Sequence, residues 1–118
     1  MNYLFIDKNP RIVKAWKEAF APFDNLKIIE GDITTIDRDA IVSPANSFGF
    51  MDGGVDYAIS VRLGWDLHLR LQKKIQALPE GELLVGKSLV LETGDAQIPY
   101  LISAPKWMDK NNYKVKYY

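Results

Sequence analysis

The segment GDITTIDRDAIVSPANSFGFMDGGVD, residues 31–56, decides the fold of this chain. It places Asp32 directly after a glycine, carries a short apolar run that leads to Asn46, and continues through a glycine pair at 53–54 to Asp56. Polar groups clustered where apolar strands end are typical of a ligand-binding edge on an α/β sheet. The segment therefore predicts such a site, with the rest of the chain as its support.

Length and composition limit the kind of protein that this sequence can form. The chain has 118 residues, 47% hydrophobic and 25% charged, which is typical of one globular domain, here residues 1–118. The absence of cysteine excludes thiol catalysis, disulfides and cysteine-ligated zinc, and a single histidine, His68, excludes a multi-histidine metal site within one chain. We therefore expect no metal and no cofactor, and we interpret His68 as a half-exposed structural residue.

Charge and hydropathy indicate location and partners. The 15 basic residues balance 15 acidic ones, so no overall field recruits nucleic acid or an anionic membrane. The N-terminus lacks the long apolar core of a signal peptide, and no apolar run approaches membrane-spanning length. The sequence predicts a soluble cytoplasmic protein without membrane or nucleic-acid partners.

The N-terminal part predicts a strand, a helix and a second strand. The apolar run at 3–6 predicts a buried strand, Asn9 followed by proline predicts the start of a helix, and Pro22 should end that helix. The run at 26–29 predicts the second strand. Such a unit favours parallel pairing with a right-handed crossover.

A third strand is predicted over residues 39–43. Proline cannot donate to a sheet ladder, so we expect Pro44 to stop this strand and to leave Asn46 in a loop. Apolar residues at helical spacing predict a helix that begins at Gly54 and ends at Gly64.

The remainder predicts another helix and two strands. The helix should begin at Asp66, and the strands should cover 88–92 and 100–104, with Pro105 ending the second of them. Residues 106–118 form an atypical tail, basic and aromatic, that is consistent with either an exposed edge strand or a disordered end. The predicted core face of the helix comprises Leu67, Leu71, Ile75 and Leu78.

The chemistry of the central segment has a ligand-binding and a structural interpretation at each position. Asp32 suits an adenine or ribose contact, or it caps the following turn. The glycine-rich stretch at 49–54 leads into a helix, where amides bind phosphate, or it is only a turn. Asn46 could orient a sugar hydroxyl, while Asp56 could steer a water or could be a first-turn acid favoured by the helix dipole. The residues alone predict a nucleotide-diphosphate or nucleotide-sugar pocket.

Four short motifs follow one another along the chain: GDIT at 31–34, SPAN at 43–46, GGVD at 53–56 and LISAP at 101–105. In this order they resemble the macrodomain family, whose members bind ADP-ribose. The resemblance covers roughly residues 26–105 and implies an α/β, three-layer fold with a mixed, largely parallel sheet and flanking helices. The wording SPANSFGFMDGG is similar to a bacterial or phage-associated branch of the family.

The resemblance also implies roles for individual residues. Asp32 would accept a hydrogen bond from the adenine amine, and Asn46 would bind the distal ribose. Asp56 would position the hydrolytic water, so any activity would be that of an ADP-ribosyl hydrolase that uses Asn46 and Asp56. The other ligand-binding positions that the resemblance implies are Ile33, Ala45, Gly53, Gly54 and Val55.

Three features depart from the family pattern. Ser43 replaces the first asparagine of its motif, and Met51 and Asp52 interrupt the usual glycine run. The family's second phosphate loop, which follows a further helix, has no counterpart after Pro105. We therefore expect a fold that lacks the C-terminal helix and strand elements, from a truncated gene, a frameshifted product or a deliberately shortened chain. The strand edges left unpaired predict a homo-oligomer, such as a dimer, that covers them.

Three functional hypotheses remain open from the sequence. The chain binds ADP-ribose or a related nucleotide diphosphate and has residual ADP-ribosyl hydrolase activity, or it is a reader that binds without turnover. Alternatively, it is a structural or interaction protein, such as a phage component, that kept the fold and lost the ligand. Binding ranks above catalysis because the second phosphate loop is missing. A ligand held on one side could still be recognised, but a misplacement of ~1 Å can lower the catalytic rate about 100-fold.

Overall fold

The computed structural model describes residues 1–51 and 53–107, with the backbone alone at 106 and 107. The chain divides into two compact units, Met1–Ile36 and Asp37–Tyr118. The expectation of a single domain over the whole chain stays a prediction. Of the tail predicted at 106–118, an edge strand or a disordered end, residues 108–118 lie outside the described residues.

The first unit contains a strand β1 (Tyr3–Asp7), a helix α1 (Pro10–Ala19) and a strand β2 (Leu26–Glu30). The two strands pair in parallel, as the sequence predicted, with Tyr3 opposite Leu26 and Asp7 opposite Glu30. A short 3-10 turn, Ile33–Thr35, follows β2.

The start and the packing of α1 follow from its sequence. The Asn9 side chain accepts a hydrogen bond from the Arg11 amide at 2.9 Å, which caps the helix, and proline occupies its first position. Phe5 of β1 meets the rings of Trp16 and Phe20 edge-to-face, each with a centroid separation of 5.3 Å. These aromatic contacts join the helix to the strand pair.

The second unit contains a three-stranded sheet and two helices. Its elements are β3 (Ala40–Asn46), α2 (Gly54–Leu63), α3 (Trp65–Gln76), β4 (Leu89–Glu92) and β5 (Tyr100–Trp107). The strand order is β3-β5-β4, with β3 and β5 parallel and β4 and β5 antiparallel. Gly64 separates the two helices, as predicted.

One face of this sheet is buried and carries both apolar and polar side chains. Along β3, Ile41, Ser43 and Ala45 are buried, while Val42 and Pro44 are exposed. The predicted core face of α3 is confirmed at three positions, and Leu78, which lies beyond the helix, is half-buried. The buried apolar residues of the unit are Ile41, Ala45, Met51, Ile59, Leu67, Leu71, Ile75, Leu83, Leu91, Ile98 and Leu101.

The prediction that proline ends the third and last strands is wrong. Pro44 lies within β3 opposite Ala104, and Pro105 lies within β5 opposite Ala45. Among the described residues of this unit β3 is an outer strand, and the part of β5 beyond Ser103 pairs only with β3. Within that part of the chain neither proline has ladder partners on both sides. Proline is tolerated at such edges and beside bulges, and the register shifts directly after the Ala45–Pro105 pair.

A half-buried ion pair joins α2 to the loop between β4 and β5. Arg62 Nη1 lies 2.5 Å from Asp95 Oδ2, and Arg62 Nη2 donates to the Gln97 side chain at 3.0 Å. Asp95 Oδ1 also accepts from the amides of Gln97 and Ile98 at 2.9 and 3.0 Å. Hydrogen bonding from Arg62 is the main cause that lowers the pKa of Asp95 below its ordinary value of 3.8.

No helix within the described ranges is both long enough and apolar enough to cross a membrane.

Candidate functional site

Asn46 is the last residue of β3 and not a loop residue, which corrects the sequence-based prediction. The residue is 8% exposed, and its side chain bonds to the segment 47–53 between β3 and α2, here called the glycine loop. Asn46 Oδ1 accepts from the amides of Phe48 and Phe50 at 2.9 and 3.2 Å, and Nδ2 donates to the Phe50 carbonyl at 2.8 Å. Three hydrogen bonds of one amide therefore fold the start of the loop back onto the end of the strand.

The glycine loop has further anchors on the body of the unit. The Ser47 carbonyl accepts from the Leu83 amide at 2.8 Å. The Met51 amide donates to His68 Nδ1 at 2.9 Å, and the Met51 carbonyl accepts from the Ser60 hydroxyl, also at 2.9 Å. The Met51 side chain is fully buried, so the residue that interrupts the glycine run of the family pattern is a hydrophobic anchor.

Gly49 lies where the loop passes closest to α3. Its φ is +77°, in the left-handed region that favours glycine. A Cβ atom there would come within 3.1 Å of Ile75 Cδ1 and within 3.2 Å of the Gln72 backbone nitrogen. Both the backbone conformation and the close approach therefore require glycine.

Asp56 lies in the first turn of α2, as the structural interpretation of the sequence has it. The residue is 7% exposed, and its Oδ1 accepts a hydrogen bond from the Ser43 hydroxyl on β3. Ser43 is the residue that replaces an asparagine of the family motif, and here it connects β3 to the helix. A carboxylate in the first turn is also favoured by the helix dipole.

The N-terminus of α2 is open. Gly53, Gly54 and Val55 are exposed, and among the described residues, chain neighbours aside, no atom lies within 4 Å of where a Cβ would stand on either glycine. Gly53 provides no side-chain cap, and the first amides of a helix have no acceptor within the helix itself. Backbone N–H groups at such a terminus can bind phosphate.

Asp32 and Ile33 belong to the first unit. Asp32 caps the 3-10 turn, because its Oδ1 accepts from the Thr34 amide at 2.9 Å and from the Thr34 hydroxyl at 2.7 Å. Its Oδ2 lies 3.3 Å from Lys8 Nζ. The Thr34 hydrogen bonds are the main cause that holds the pKa of Asp32 below its usual value, and Lys8 adds to them. Asp32 is thus a carboxylate that caps its turn, and an adenine contact stays a prediction.

The other sequence-predicted residues meet where β3 ends and α2 begins. Ser43 joins these two elements through Asp56, and Asn46 joins the strand to the glycine loop. The Ala45 side chain is buried in the core, so only its backbone can face a ligand. Among the described residues, no group of three or more His, Asp or Glu side chains could hold a metal ion.

The sequence did not predict the contacts of two residues in this region, His68 and Ser60. His68 is half-buried, as predicted, but its bond to the Met51 amide spans 17 positions. The contact of Ser60 with the same residue spans 9. No local pattern indicates either contact, because both depend on how α2 and α3 pack beside the loop.

Known proteins resemble this chain in sequence. The family model of the macro domain matches residues 42–116. A macro domain-containing protein of Listeria monocytogenes is 37% identical over 86 residues, which are 71% of this chain and 48% of that protein. O-acetyl-ADP-ribose deacetylase 2 of Pantoea vagans is 34% identical over 88 residues, 73% of this chain and 50% of that enzyme. The chain spans about half the length of the curated relatives that it matches.

Solved structures of macrodomains resemble it in fold. The Oceanobacillus iheyensis macrodomain with ADP has a TM-score of 0.58 at 28% identity, covering 64% of this chain and 40% of that one. A variant of the same macrodomain with ADPR has the same TM-score and identity, covering 64% and 41%. The macrodomain of Mycobacterium tuberculosis DarG has a TM-score of 0.57 at 25% identity, covering 67% and 50%.

The family model covers more than half of the chain. Its match includes the SPAN, GGVD and LISAP motifs, and the GDIT motif at 31–34 lies before it. The α/β fold with flanking helices is confirmed by the macrodomain neighbours. The chain belongs to the macro domain family.

Proposed function

We propose that this chain binds ADP-ribose or a related nucleotide diphosphate where β3 ends and α2 begins. The observation that carries the proposal is the open N-terminus of α2, where Gly53 and Gly54 leave space for a ligand to approach the first amides. Amides at a helix N-terminus favour a diphosphate both by hydrogen bonding and through the helix dipole. The solved macrodomain with ADP and the relatives named O-acetyl-ADP-ribose deacetylase support this choice of ligand.

Individual residues receive proposed roles from the family resemblance. The Gly53, Gly54 and Val55 amides contact the diphosphate, and Asn46 and the Ala45 backbone lie on the side of the distal ribose. Contacts of Asp32 and Ile33 with an adenine are a separate proposal that rests on the same resemblance.

Hydrolysis of an ADP-ribosyl bond by Asn46 and Asp56 is the second candidate. Asp56 is 7% exposed and accepts a hydrogen bond from Ser43, while both polar atoms of the Asn46 side chain bond to the glycine loop. Existing hydrogen bonds hold both side chains in place. To activate a water, Asp56 would have to contact it despite its burial and its hydrogen bond with Ser43. We therefore place binding first and turnover second.

Further proposals concern the oligomeric state of the protein and its location. Within residues 37–51 and 53–107, β3 and β4 are the outer strands of the second unit's sheet, and outer strands pair readily with another chain, which supports a homo-oligomer. Light scattering of the purified protein measures this, and a strictly monomeric mass would contradict it. A cytoplasmic location and an association with phage stay predictions from the sequence.

Calorimetric titration with ADP-ribose tests the binding proposal. The wild type should bind saturably, and Gly53→Val should weaken binding at least about tenfold, because a branched side chain would fill the space in front of the amides. Gly53 has a φ of −144°, which valine adopts readily, so the variant should fold. Ser88→Val, at an exposed loop position, is the matched control and should bind as the wild type does.

Two other outcomes separate the alternatives. No heat of binding at millimolar ADP-ribose would favour a structural protein that has lost its ligand. Release of ADP-ribose from a modified protein by the wild type, lost in Asp56→Ala, would establish hydrolysis.

A further inference from the structure

We infer that His68 is a positioning residue for ligand binding, which sets the place of the glycine loop by accepting a hydrogen bond from the Met51 amide. The inference rests on the proposed function, because it concerns the same site at the N-terminus of α2. It assigns to α3 a part in binding that lies outside the four sequence motifs.

The contact itself defines the state of the histidine ring. His68 Nδ1 lies 2.9 Å from the Met51 amide nitrogen, which donates. A nitrogen that accepts a hydrogen bond must present its lone pair, so the proton of the neutral ring lies on Nε2. The ring acts here as an acceptor for the backbone.

Both polar backbone atoms of Met51 are held by side chains from different helices. His68 of α3 takes the amide, and the Ser60 hydroxyl of α2 donates to the carbonyl at 2.9 Å. The Met51 side chain is fully buried, so the residue cannot shift without opening the core. Met51 stands two positions before Gly53, so this is the last fixed point in the described chain before the amides proposed for the diphosphate.

Neighbouring side chains hold the histidine ring in this orientation. Trp65 meets His68 edge-to-face with a centroid separation of 5.8 Å, and Trp65 meets Tyr57 of α2 at the same separation. At its other end the loop is held by Asn46. The described part of the loop, residues 47–51, is therefore held at both of its ends before any ligand arrives, and a preordered loop binds with a smaller loss of conformational entropy.

The test compares two substitutions of nearly equal shape, His68→Asn and His68→Leu. Asparagine Oδ1 stands the same number of bonds from the backbone as histidine Nδ1 and can accept from the Met51 amide, whereas leucine cannot. In titrations with ADP-ribose, His68→Leu should bind about tenfold more weakly than the wild type, and His68→Asn should retain most of the affinity. Lys73→Leu, on an exposed position of α3, controls for the introduction of leucine into this helix.

A purely structural role would give the opposite order. Asparagine is a poorer helix former than leucine, so if helix stability decided the result His68→Asn would be the weaker binder. Equal affinities of His68→Leu and the wild type would overturn the inference and leave the proposed function intact.

Amide hydrogen exchange makes the inference testable without a ligand. In the unliganded protein, the Met51 amide should exchange faster in His68→Leu than in the wild type and should stay slow in His68→Asn. If the wild type fails to bind ADP-ribose, the proposed function falls. In that case unchanged exchange at Met51 in His68→Leu would overturn the positioning role as well.

Discussion

The Ser43 hydroxyl on β3 donates a hydrogen bond to the Asp56 carboxylate in the first turn of α2, and both side chains are buried. Ser103 of β5 lies directly opposite Ser43 in the parallel register and is buried on the same side of the sheet. Its hydroxyl, however, has no hydrogen-bond partner within the described part of the chain. Two serines at one level of the sheet therefore differ in whether their hydroxyl is used.

This difference predicts opposite results for one substitution. Ser43→Ala removes a donor to a buried carboxylate and should lower the free energy of unfolding by about 1–3 kcal/mol. Ser103→Ala removes a hydroxyl that gains nothing from its surroundings and should leave the free energy unchanged or raise it slightly. Urea unfolding of the two variants beside the wild type measures both. Equal losses of unfolding free energy in the two variants would show that the hydrogen bond of Ser43 adds nothing beyond the packing of the side chain.

The sequence predicted elements whose signals are local. Asn9 with the following proline marked the start of α1, and Gly64 marked the boundary between two helices, because caps and breakers act within one turn. Pro44 and Pro105 misled the prediction of strand ends. Whether a missing N–H matters depends on which strands lie on either side, and that is a property of the assembled sheet.

The candidate site was predictable in its positions and not in its contacts. The GGVD motif placed Asp56 at the start of a helix, and the structure has it there, whereas Asn46, predicted to lie in a loop, is the last residue of β3. That the Asn46 amide would bond three times to the next few residues does not follow from the motif. The bond between His68 and Met51 requires α3 to pack beside the loop, which no local pattern specifies.

Two substitutions of Asn46 should distinguish the role of its Oδ1 from that of its Nδ2. Asn46→Ala removes all three bonds and should speed amide exchange at Phe48 and Phe50 and lower stability by about 1–3 kcal/mol. Asn46→Asp keeps an acceptor for both amides but places an oxygen against the Phe50 carbonyl, so stability should fall while both amides stay protected. The exposed Asn25→Ala is the control for loss of an asparagine. Fast exchange in Asn46→Asp would contradict this division.

Gly49 and Gly81 form a matched pair for measuring how much stability is lost when a Cβ atom is placed against neighbouring atoms. Their φ angles are +77° and +69°, but a Cβ on Gly49 would press on Ile75 and the Gln72 backbone, whereas nothing lies within 4 Å of one on Gly81. Gly81→Ala should lower the free energy of unfolding by about 1–2 kcal/mol through backbone strain alone. Gly49→Ala should lower it by about 1–3 kcal/mol more, because the core is overpacked as well. Denaturant midpoints decide, and equal losses would mean that the loop can move away from α3.

The ion pair between Arg62 and Asp95 predicts an acid-dependent part of stability. Because the pair lowers the pKa of Asp95 in the folded protein below its ordinary 3.8, its contribution is complete above that pH and is lost as the pH falls through the folded value. Asp95→Asn keeps an oxygen for the Gln97 and Ile98 amides, but it loses the charge and the second oxygen, which accepts from Arg62. The variant should therefore be less stable than the wild type at pH 7, and the difference should shrink below about pH 4. Thermal unfolding across this range measures it, with the exposed Asp37→Asn as control. A difference that is constant from pH 7 to pH 3 would assign the loss to packing and not to charge.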